Sequence, residues 1–187
     1  MSVAVDHTGP WTVADVLALP EDRAVRYELL GESLVMSPAP GVRHQRASYR
    51  LHVALDTAAR AARAPVEIFE AINVVLPSGL VVPDIVVVDA SATAEDAVSV
   101  DAEAVQLVVE LVSPGNKTMD RKAEPLLYAE AGIPSYWRLE FDPAPRIVMA
   151  ELRNGRYAEE VTALAGVMTR VGVPFAFEID PVGIARP

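Results

Sequence analysis

The chain has 187 residues, of which 51% are hydrophobic and 22% are charged, and it contains no cysteine. This composition predicts one well-cored domain over residues 1–187 and excludes disulfides and thiolate metal sites. The formal net charge of -10 argues against a protein that coats nucleic acid non-specifically, because such binding depends on Lys and Arg at the phosphates.

Two features of the sequence bear on location and on charge distribution. No apolar run reaches the roughly 20 residues that span a bilayer, and the opening MSVAVDHTGPWT lacks the basic and apolar regions of a signal peptide. We therefore expect a cytoplasmic protein with no membrane partner. The charges are uneven, since residues 42–63 hold five Arg and one Asp, whereas residues 91–104 hold four acids and no base.

The first predicted elements are a short helix, a hairpin and a long helix. Thr12 is the expected N-cap of the short helix, Asp15 occupies the capping-box position, and the helix should stop near Pro20. The stretch VRYELLGESLVMSPAP alternates like two strands around a tight turn. Apolar residues then recur at steps of three and four from His44 to Ala62, which predicts an amphipathic helix.

The rest of the chain predicts strands around one further helix. EAINVVL and LVVPDIVVVD should pair about the turn PSG, and VQLVVELVS is a third strand. MDRKAEPLLYAEAG predicts a helix, closed by Gly132 and Pro134. The final strands are SYWRLEFD, RIVMAEL, YAEEV and FAFEID, with an Asn-Gly turn before YAEEV. The whole pattern indicates an α/β mixed-sheet fold.

Two acids interrupt apolar strands. Asp84 lies inside VVPDIVVVD and Glu110 inside VQLVVELVS, although a buried carboxylate without a partner costs several kcal/mol. If the two strands are neighbours, the carboxylates can face one another, and a cation between them would relieve their repulsion. Mg²⁺ suits such a site, because it takes one or two carboxylates together with water and substrate phosphate.

Structural explanations of the same acids stay open. An Asp after Pro is often a turn residue, and a buried Glu is often held by an Arg or by backbone N–H groups. Pro83 also predicts an edge or a bulge in its strand, where a side chain can be re-aimed towards a site.

Lys122 is a candidate partner for these acids. The chain has two lysines, Lys117 and Lys122, and both follow Glu110 within a dozen positions. On the predicted helix Lys122 shares a face with Leu126 and Ala129, so it should point inward. The alternative is that its ammonium extends to solvent at the helix edge, as Lys side chains commonly do.

Three motifs carry a resemblance to a known family: Pro83-Asp84, Glu110-Leu111-Val112 and Asp120-Arg121-Lys122. With these motifs the sequence resembles the Uma-two family of restriction endonuclease-like proteins, within the PD-(D/E)XK nuclease superfamily. The resemblance extends along most of the chain, and the segment from Glu110 to Trp137 is its most specific part.

The resemblance implies a restriction endonuclease-like core at about residues 20–140, in which helices flank a central mixed β-sheet. Additional β-hairpins include the C-terminal strands at 146–180. Asp84 and Glu110 would then bind Mg²⁺ or Mn²⁺ on adjacent strands, together with the Leu111 carbonyl. The superfamily's lysine is expected at position 112, where this chain has Val, and Lys122 would replace it.

The resemblance also implies supporting residues near this site. Glu28, His44 and Gln45 match residues typical of the family. Arg43 and Arg46 lie beside His44 on the same predicted helix and could bind phosphates. For a single residue of these types, a solvated or packed position is the ordinary alternative.

We therefore expect a Mg²⁺- or Mn²⁺-dependent endonuclease that hydrolyses DNA, with dimerisation implied by the superfamily. The alternative is a non-catalytic binding or regulatory module of nuclease fold, which the missing lysine at position 112 and the acidic net charge favour. Hydrolysis of RNA or of a small phosphoester is a third possibility, which differs from the first in substrate alone.

Overall fold

Three β-sheets and four α-helices are present in residues 7–20, 22, 24–112 and 124–186, which a computed structural model describes. The helices are α1 (Val13–Leu17), α2 (Val42–Ala62), α3 (Glu124–Glu130) and α4 (Pro181–Ala185). The strands are β1 (Val25–Leu30), β2 (Ser33–Pro38), β3 (Val66–Glu70), β4 (Asn73–Leu76), β5 (Gly79–Val81), β6 (Ile85–Asp89), β7 (Ser99–Asp101), β8 (Val105–Leu111), β9 (Ser135–Glu140), β10 (Arg146–Arg153), β11 (Arg156–Leu164), β12 (Thr169–Val171) and β13 (Phe177–Ile179).

The main sheet has six strands in the order β11-β10-β9-β8-β6-β3. It is mixed, because β8 and β9 run parallel while the other neighbouring strands are antiparallel. A second sheet has the order β2-β1-β5-β4-β7, and β12 and β13 form a separate antiparallel pair. The expected architecture, a central mixed sheet with helices and additional hairpins, is confirmed.

The central strands β6, β8 and β9 of the main sheet are buried on both faces. On one face the central strands pack against the apolar side of α2, whose Leu51 and Leu55 are fully buried, and against α4. On the other face, side chains such as Val86 and Val108 pack against the second sheet and α3. Strands covered on both sides are apolar at almost every position, which explains the continuous Val-rich runs of the sequence. A polar residue in such a strand therefore needs a specific partner.

Local sequence signals gave several elements correctly. The Thr12 side chain accepts the Asp15 N–H, and the Asp15 side chain accepts the Thr12 N–H, which is the predicted capping box. The hairpin of β1 and β2 and the long helix α2 are confirmed, although Ala62 at the end of its predicted apolar stripe is exposed. Asn154 and Gly155 both have positive φ, as the predicted Asn-Gly turn requires.

The prediction of a single strand over LVVPDIVVVD is wrong. Residues 79–81 form β5 in the second sheet, and residues 85–89 form β6 in the main sheet. Val82, Pro83 and Asp84 connect the two sheets, so Pro83 lies between strands and produces neither an edge nor a bulge. Pro has no N–H to donate to a sheet, which is consistent with the break in pairing at this point. Asp84 is therefore a residue of the connection.

Some elements carried too weak a signal to be predicted. The strand β3 pairs along the edge of the main sheet, and the short β7 lies within the acidic segment at 91–104. Near the C-terminus, β12 and α4 were also missed. Of the predicted helix MDRKAEPLLYAEAG, the structure describes α3, whereas Lys122 and the rest of 113–123 lie outside the described residues.

Among the helices that the structure describes, none combines the length and the apolar character needed to cross a membrane.

We predict that Gly79→Ala strongly destabilises the fold. Gly79 has φ +150, and a Cβ at this position would lie 1.9 Å from the Leu29 carbonyl oxygen of the neighbouring strand β1. Both the backbone strain and the clash must be relieved by separating β1 from β5. The free energy of unfolding should fall by about 2–5 kcal/mol, measured by urea denaturation.

Gly183→Ala is the matched control. Gly183 lies in α4, and a Cβ there would meet nothing within 4 Å. Because Ala favours a helix over Gly by about 1 kcal/mol, this variant should be neutral or slightly more stable than the wild type. Equal losses of stability in the two variants would contradict the role given to Gly79.

Candidate functional site

An open cavity of about 520 Å³ lies beside the N-terminus of α2, at the ends of β6, β8 and β9. Its walls include β1, residues 38–41 before α2, and the first residue of α3. The lining combines apolar residues, among them Pro40, Val42 and Phe141, with charged ones. The ionisable residues of the lining are Arg26, Glu28, Arg43, His44, Asp84, Glu110, Glu124 and Asp142.

Asp84 is the most fully engaged residue of this cavity. Its side chain is 4% exposed, and its Oδ1 lies 2.8 Å from Arg26 Nη1 and 2.8 Å from His44 Nε2. Its Oδ2 accepts the backbone N–H of Leu111 at 2.8 Å. Arg26 comes from β1, His44 from α2 and Leu111 from β8, so three elements meet at one carboxylate. These contacts compensate the burial that the sequence left unexplained.

The electrostatic surroundings keep Asp84 ionised. Burial alone would raise the pKa of this carboxyl, but the contacts with His44 and Arg26 outweigh burial and hold its pKa below the usual range. The carboxylate therefore carries its negative charge at neutral pH. An anionic oxygen at the base of an open cavity can bind a cation or accept hydrogen bonds.

Glu110, the second predicted acid, lines the same cavity as Asp84. Ile85 of β6 pairs with Val109 of β8, and Asp84 and Glu110 are the residues next to this pair along the chain. Glu110 is 8% exposed, and its Oε1 accepts a hydrogen bond of 2.6 Å from the Tyr128 hydroxyl on α3. This contact fixes one oxygen of the carboxylate.

Burial and the Glu110 charge raise the pKa of Tyr128 well above its ordinary value. The phenol therefore stays protonated and acts as a donor across the physiological range. Tyr128 is 1% exposed and packs in the core between the sheets, which makes it a rigid support for Glu110.

Glu28 is a third acid in the cavity. It lies on β1 two residues after Arg26, so both side chains are on the same face of the strand. Its Oε1 accepts the Val82 N–H at 3.0 Å, and its Oε2 lies 3.4 Å from the Ser37 hydroxyl, which donates to it. Burial raises the pKa of Glu28, because these two contacts and the nearby Arg26 do not fully replace water.

Of the predicted supporting residues, Arg43 and His44 line the cavity and Gln45 and Arg46 do not. Gln45 is exposed and donates from Nε2 to the Pro40 carbonyl at 2.6 Å, so it supports the loop before α2. Arg46 is exposed on α2. Arg43 reaches the end of β9, where it contacts the Phe141 carbonyl and the Asp142 carboxylate at 3.4 Å.

At the position where the superfamily motif has a lysine, this chain has Val112. Val112 is 5% exposed, lines the cavity, and donates its backbone N–H to Leu139. Lys122, the predicted replacement, lies outside the described residues.

Sequence reasoning missed Arg26, Tyr128 and Glu124. Arg26 could have been found, because strand alternation places it on the same face as Glu28. Tyr128 and Glu124 are four residues apart on α3, which also places them on one helix face. In both cases the pattern gives the shared face, but the contact with Asp84 or Glu110 depends on long-range packing.

The mixed-sheet fold places the chain among the restriction endonuclease-like proteins. A crystal structure described as "a putative nuclease belonging to DUF820", from Anabaena variabilis, has the same fold, with a TM-score of 0.73. The match covers 94% of this chain and 97% of that chain at 18% sequence identity. Likeness at this identity establishes the fold alone.

The family follows from the sequence itself. The Uma2 family model, described as "Putative restriction endonuclease", matches residues 13–181, and the chain belongs to this family. The resemblance that the motifs indicated is therefore confirmed. No curated protein matches the chain.

We predict that Glu28→Gln changes the pH dependence of stability. In the folded chain Glu28 keeps its proton to higher pH than in the unfolded chain, because its pKa is raised from 4.5. Its ionisation therefore destabilises the fold as pH rises above about 4.5. Gln cannot ionise and still accepts the Val82 N–H. At pH 8 in EDTA the variant should have a larger free energy of unfolding than the wild type, measured by urea denaturation.

The difference between Glu28→Gln and the wild type should shrink as pH falls towards 4.5. Glu32→Gln, an exposed acid in the turn between β1 and β2, is the control and should show little difference at either pH. A Glu28→Gln variant less stable than the wild type at pH 8 would mean that the carboxylate is stabilised where it lies.

Proposed function

We propose that this protein is a metal-dependent endonuclease that hydrolyses DNA phosphodiester bonds with Mg²⁺ or Mn²⁺. One observation carries the proposal: Asp84, directly before β6, and Glu110, near the end of the neighbouring strand β8, both line one open cavity. Membership of a restriction endonuclease-like family supports the role of these two acids as metal ligands.

The residues around Asp84 fit a hard divalent cation. Among the described residues no group of three or more His, Asp or Glu is arranged as a metal site, but Mg²⁺ commonly takes one or two protein carboxylates and completes its shell with water. His44 Nε2 is buried and has no aligned hydrogen-bond partner among the described residues.

Asp84 and Glu110 would hold the ion, together with the Leu111 carbonyl. A bound Mg²⁺ or Mn²⁺ supplies Lewis-acid activation of water and neutralises charge that develops on the phosphate. The Leu111 N–H keeps the Asp84 carboxylate oriented through Oδ2, and the Tyr128 hydroxyl orients Glu110 through Oε1. Such support limits the motion of the acids during the reaction.

Lys122 and Arg43 are the proposed cationic groups at the substrate. Lys122 would orient the attacking water, help to remove its proton and stabilise the pentacovalent phosphorus, as the resemblance implies. Arg43 lines the cavity at its outer side, where a phosphate of the backbone could replace its exposed contact with Asp142. Arg46 is proposed to contribute to attraction of the backbone from the exposed side of α2.

A second candidate function is a non-catalytic binding or regulatory module. One observation favours it: Asp84 already has a cationic partner in Arg26, which a purely structural acid would need. Arg138, on the strand next to β8, pairs with Glu140 and Glu159. Calorimetric titration with Mn²⁺ separates the two functions, because a module without a metal site should show no saturable binding.

We predict that Glu110→Gln abolishes metal-dependent cleavage and preserves the fold. Gln keeps an oxygen that can accept the Tyr128 hydroxyl but lacks the negative charge that a metal ligand needs. With Mg²⁺ or Mn²⁺, nicking of supercoiled plasmid and cleavage of single-stranded DNA should be roughly 100-fold or more slower than with the wild type. In EDTA neither protein should cleave. Asp84→Asn is less informative, because Asp84 also holds Arg26 and the Leu111 N–H.

Glu130→Gln is the matched control, since Glu130 is an exposed acid at the end of α3. This variant should cleave like the wild type. Cleavage that survives in EDTA, or equally in Glu110→Gln, would refute the proposed site. A folded wild type that binds Mn²⁺ and cleaves RNA but not DNA would contradict DNA as the substrate and leave the proposed metal site unaffected.

A further inference from the structure

We infer that Arg26 exchanges partners during the reaction: it neutralises Asp84 when no metal is bound, and it binds a substrate phosphate once Asp84 holds the metal. This inference rests on the proposed function, because it assigns a role in metal loading and phosphate binding at the same site. It makes Arg26 both a competitor of the metal and a substrate-binding residue.

The competition follows from the occupancy of the Asp84 oxygens. Oδ2 accepts the Leu111 N–H, and Oδ1 is within 2.8 Å of both Arg26 Nη1 and His44 Nε2. A carboxylate oxygen offers about two lone-pair sites, and the hydrogen bond from Arg26 Nη1 takes one of them on Oδ1. His44 Nε2 lies 2.8 Å from the same oxygen without an aligned hydrogen bond, so a cation that coordinates Oδ1 comes directly against the Arg26 guanidinium. Arg26 is the group that carries a permanent positive charge, and charge repulsion favours its withdrawal.

Arg26 is placed to stay in the cavity after this withdrawal. Its backbone lies in β1, which pairs with β2 on one side and with β5 on the other. The side chain is 23% exposed, and apart from Asp84 its Nη1 makes one long contact, of 3.5 Å, with the Val82 carbonyl. A planar guanidinium with five N–H donors matches two phosphate oxygens at once. The freed group would thus face substrate in the same cavity.

The cavity needs such a group because acids predominate in it. Its described lining holds five carboxylate side chains and two guanidinium groups. A phosphodiester entering this lining meets net negative charge until cations offset it. Arg26 would move its charge from a carboxylate that the metal now neutralises to the incoming phosphate. The Arg26 charge would thus stabilise Asp84 before the metal binds and the substrate phosphate afterwards.

Arg43 provides the matched comparison. It lines the same cavity, but its guanidinium contacts Asp142 at 3.4 Å and lies 4.6 Å from the centre of the Phe141 ring, with no contact to Asp84. Removing either arginine takes one positive charge from the cavity wall. General Coulomb repulsion would affect metal binding similarly in both variants, whereas direct competition at Oδ1 concerns Arg26 alone.

The test is calorimetric titration with Mn²⁺ at pH 8 of the metal-free wild type, Arg26→Gln and Arg43→Gln, with circular dichroism as a check of folding. Arg26→Gln should bind Mn²⁺ about 10- to 100-fold more tightly, because the ion no longer displaces a charge-assisted hydrogen bond. Arg43→Gln should change the affinity by less than about threefold, as an exposed charge is well screened.

A second variant covers the case in which Arg26→Gln fails to fold. Arg26→Lys keeps a cation beside Asp84 but loses the planar fork, so its Mn²⁺ affinity should stay near that of the wild type. At saturating Mn²⁺ the kcat/KM for plasmid cleavage should nevertheless fall by about 10-fold or more in both Arg26 variants.

The possible results separate the inference from the proposed function. A wild type that binds Mn²⁺ and cleaves DNA, with an unchanged Mn²⁺ affinity in Arg26→Gln, overturns the competition and leaves the nuclease intact. Tighter Mn²⁺ binding with wild-type kcat/KM in both Arg26 variants overturns the phosphate role. A folded wild type with neither Mn²⁺ binding nor cleavage overturns the proposed function and the inference together.

Discussion

The rest of the site depends on how the buried Asp84 carboxylate is compensated. A charge that is 4% exposed loses almost all of its hydration, and it can persist only with partners that replace water. Here the partners come from β1, α2 and β8, through Arg26, His44 and the Leu111 N–H. The relative positions of these elements are therefore tied to one side chain, and the cavity that they enclose takes its shape and charge from the same contacts.

Much of the fold could be predicted from the sequence because its signals are local. The capping box of α1, the hairpin about Gly31 and the Asn154-Gly155 turn each depend on residues a few positions apart. The main error, a single strand across residues 80–89, has a physical cause. The apolar run continues through Val82 and Pro83, although the chain leaves one sheet and enters the other at that point. The sequence pattern indicates which residues are buried, but residues on both sides of this connection are buried. The pattern therefore does not show where one strand ends and the next begins.

The candidate site could be predicted in its acids but less well in their partners. Asp84 and Glu110 stand out because acids are rare in apolar strands. Arg26 is 58 positions from Asp84 in the chain, and Tyr128 is 18 from Glu110, so their contacts arise from tertiary packing. Gln45 and Arg46 follow His44 in sequence, but the helical turn directs them away from the cavity. The structure leaves Lys122 as a prediction.

Asp84 also joins two layers of the protein, because Oδ1 contacts Arg26 of the second sheet and Oδ2 contacts Leu111 of the main sheet. The geometry of the polar site therefore depends on how the two sheets pack against each other. A core substitution that slides one sheet along the other by a fraction of an ångström separates the partners of a single carboxylate. Natural selection on the chemistry of the cavity therefore extends to valines that never meet a substrate, and these positions should tolerate fewer replacements than burial alone requires.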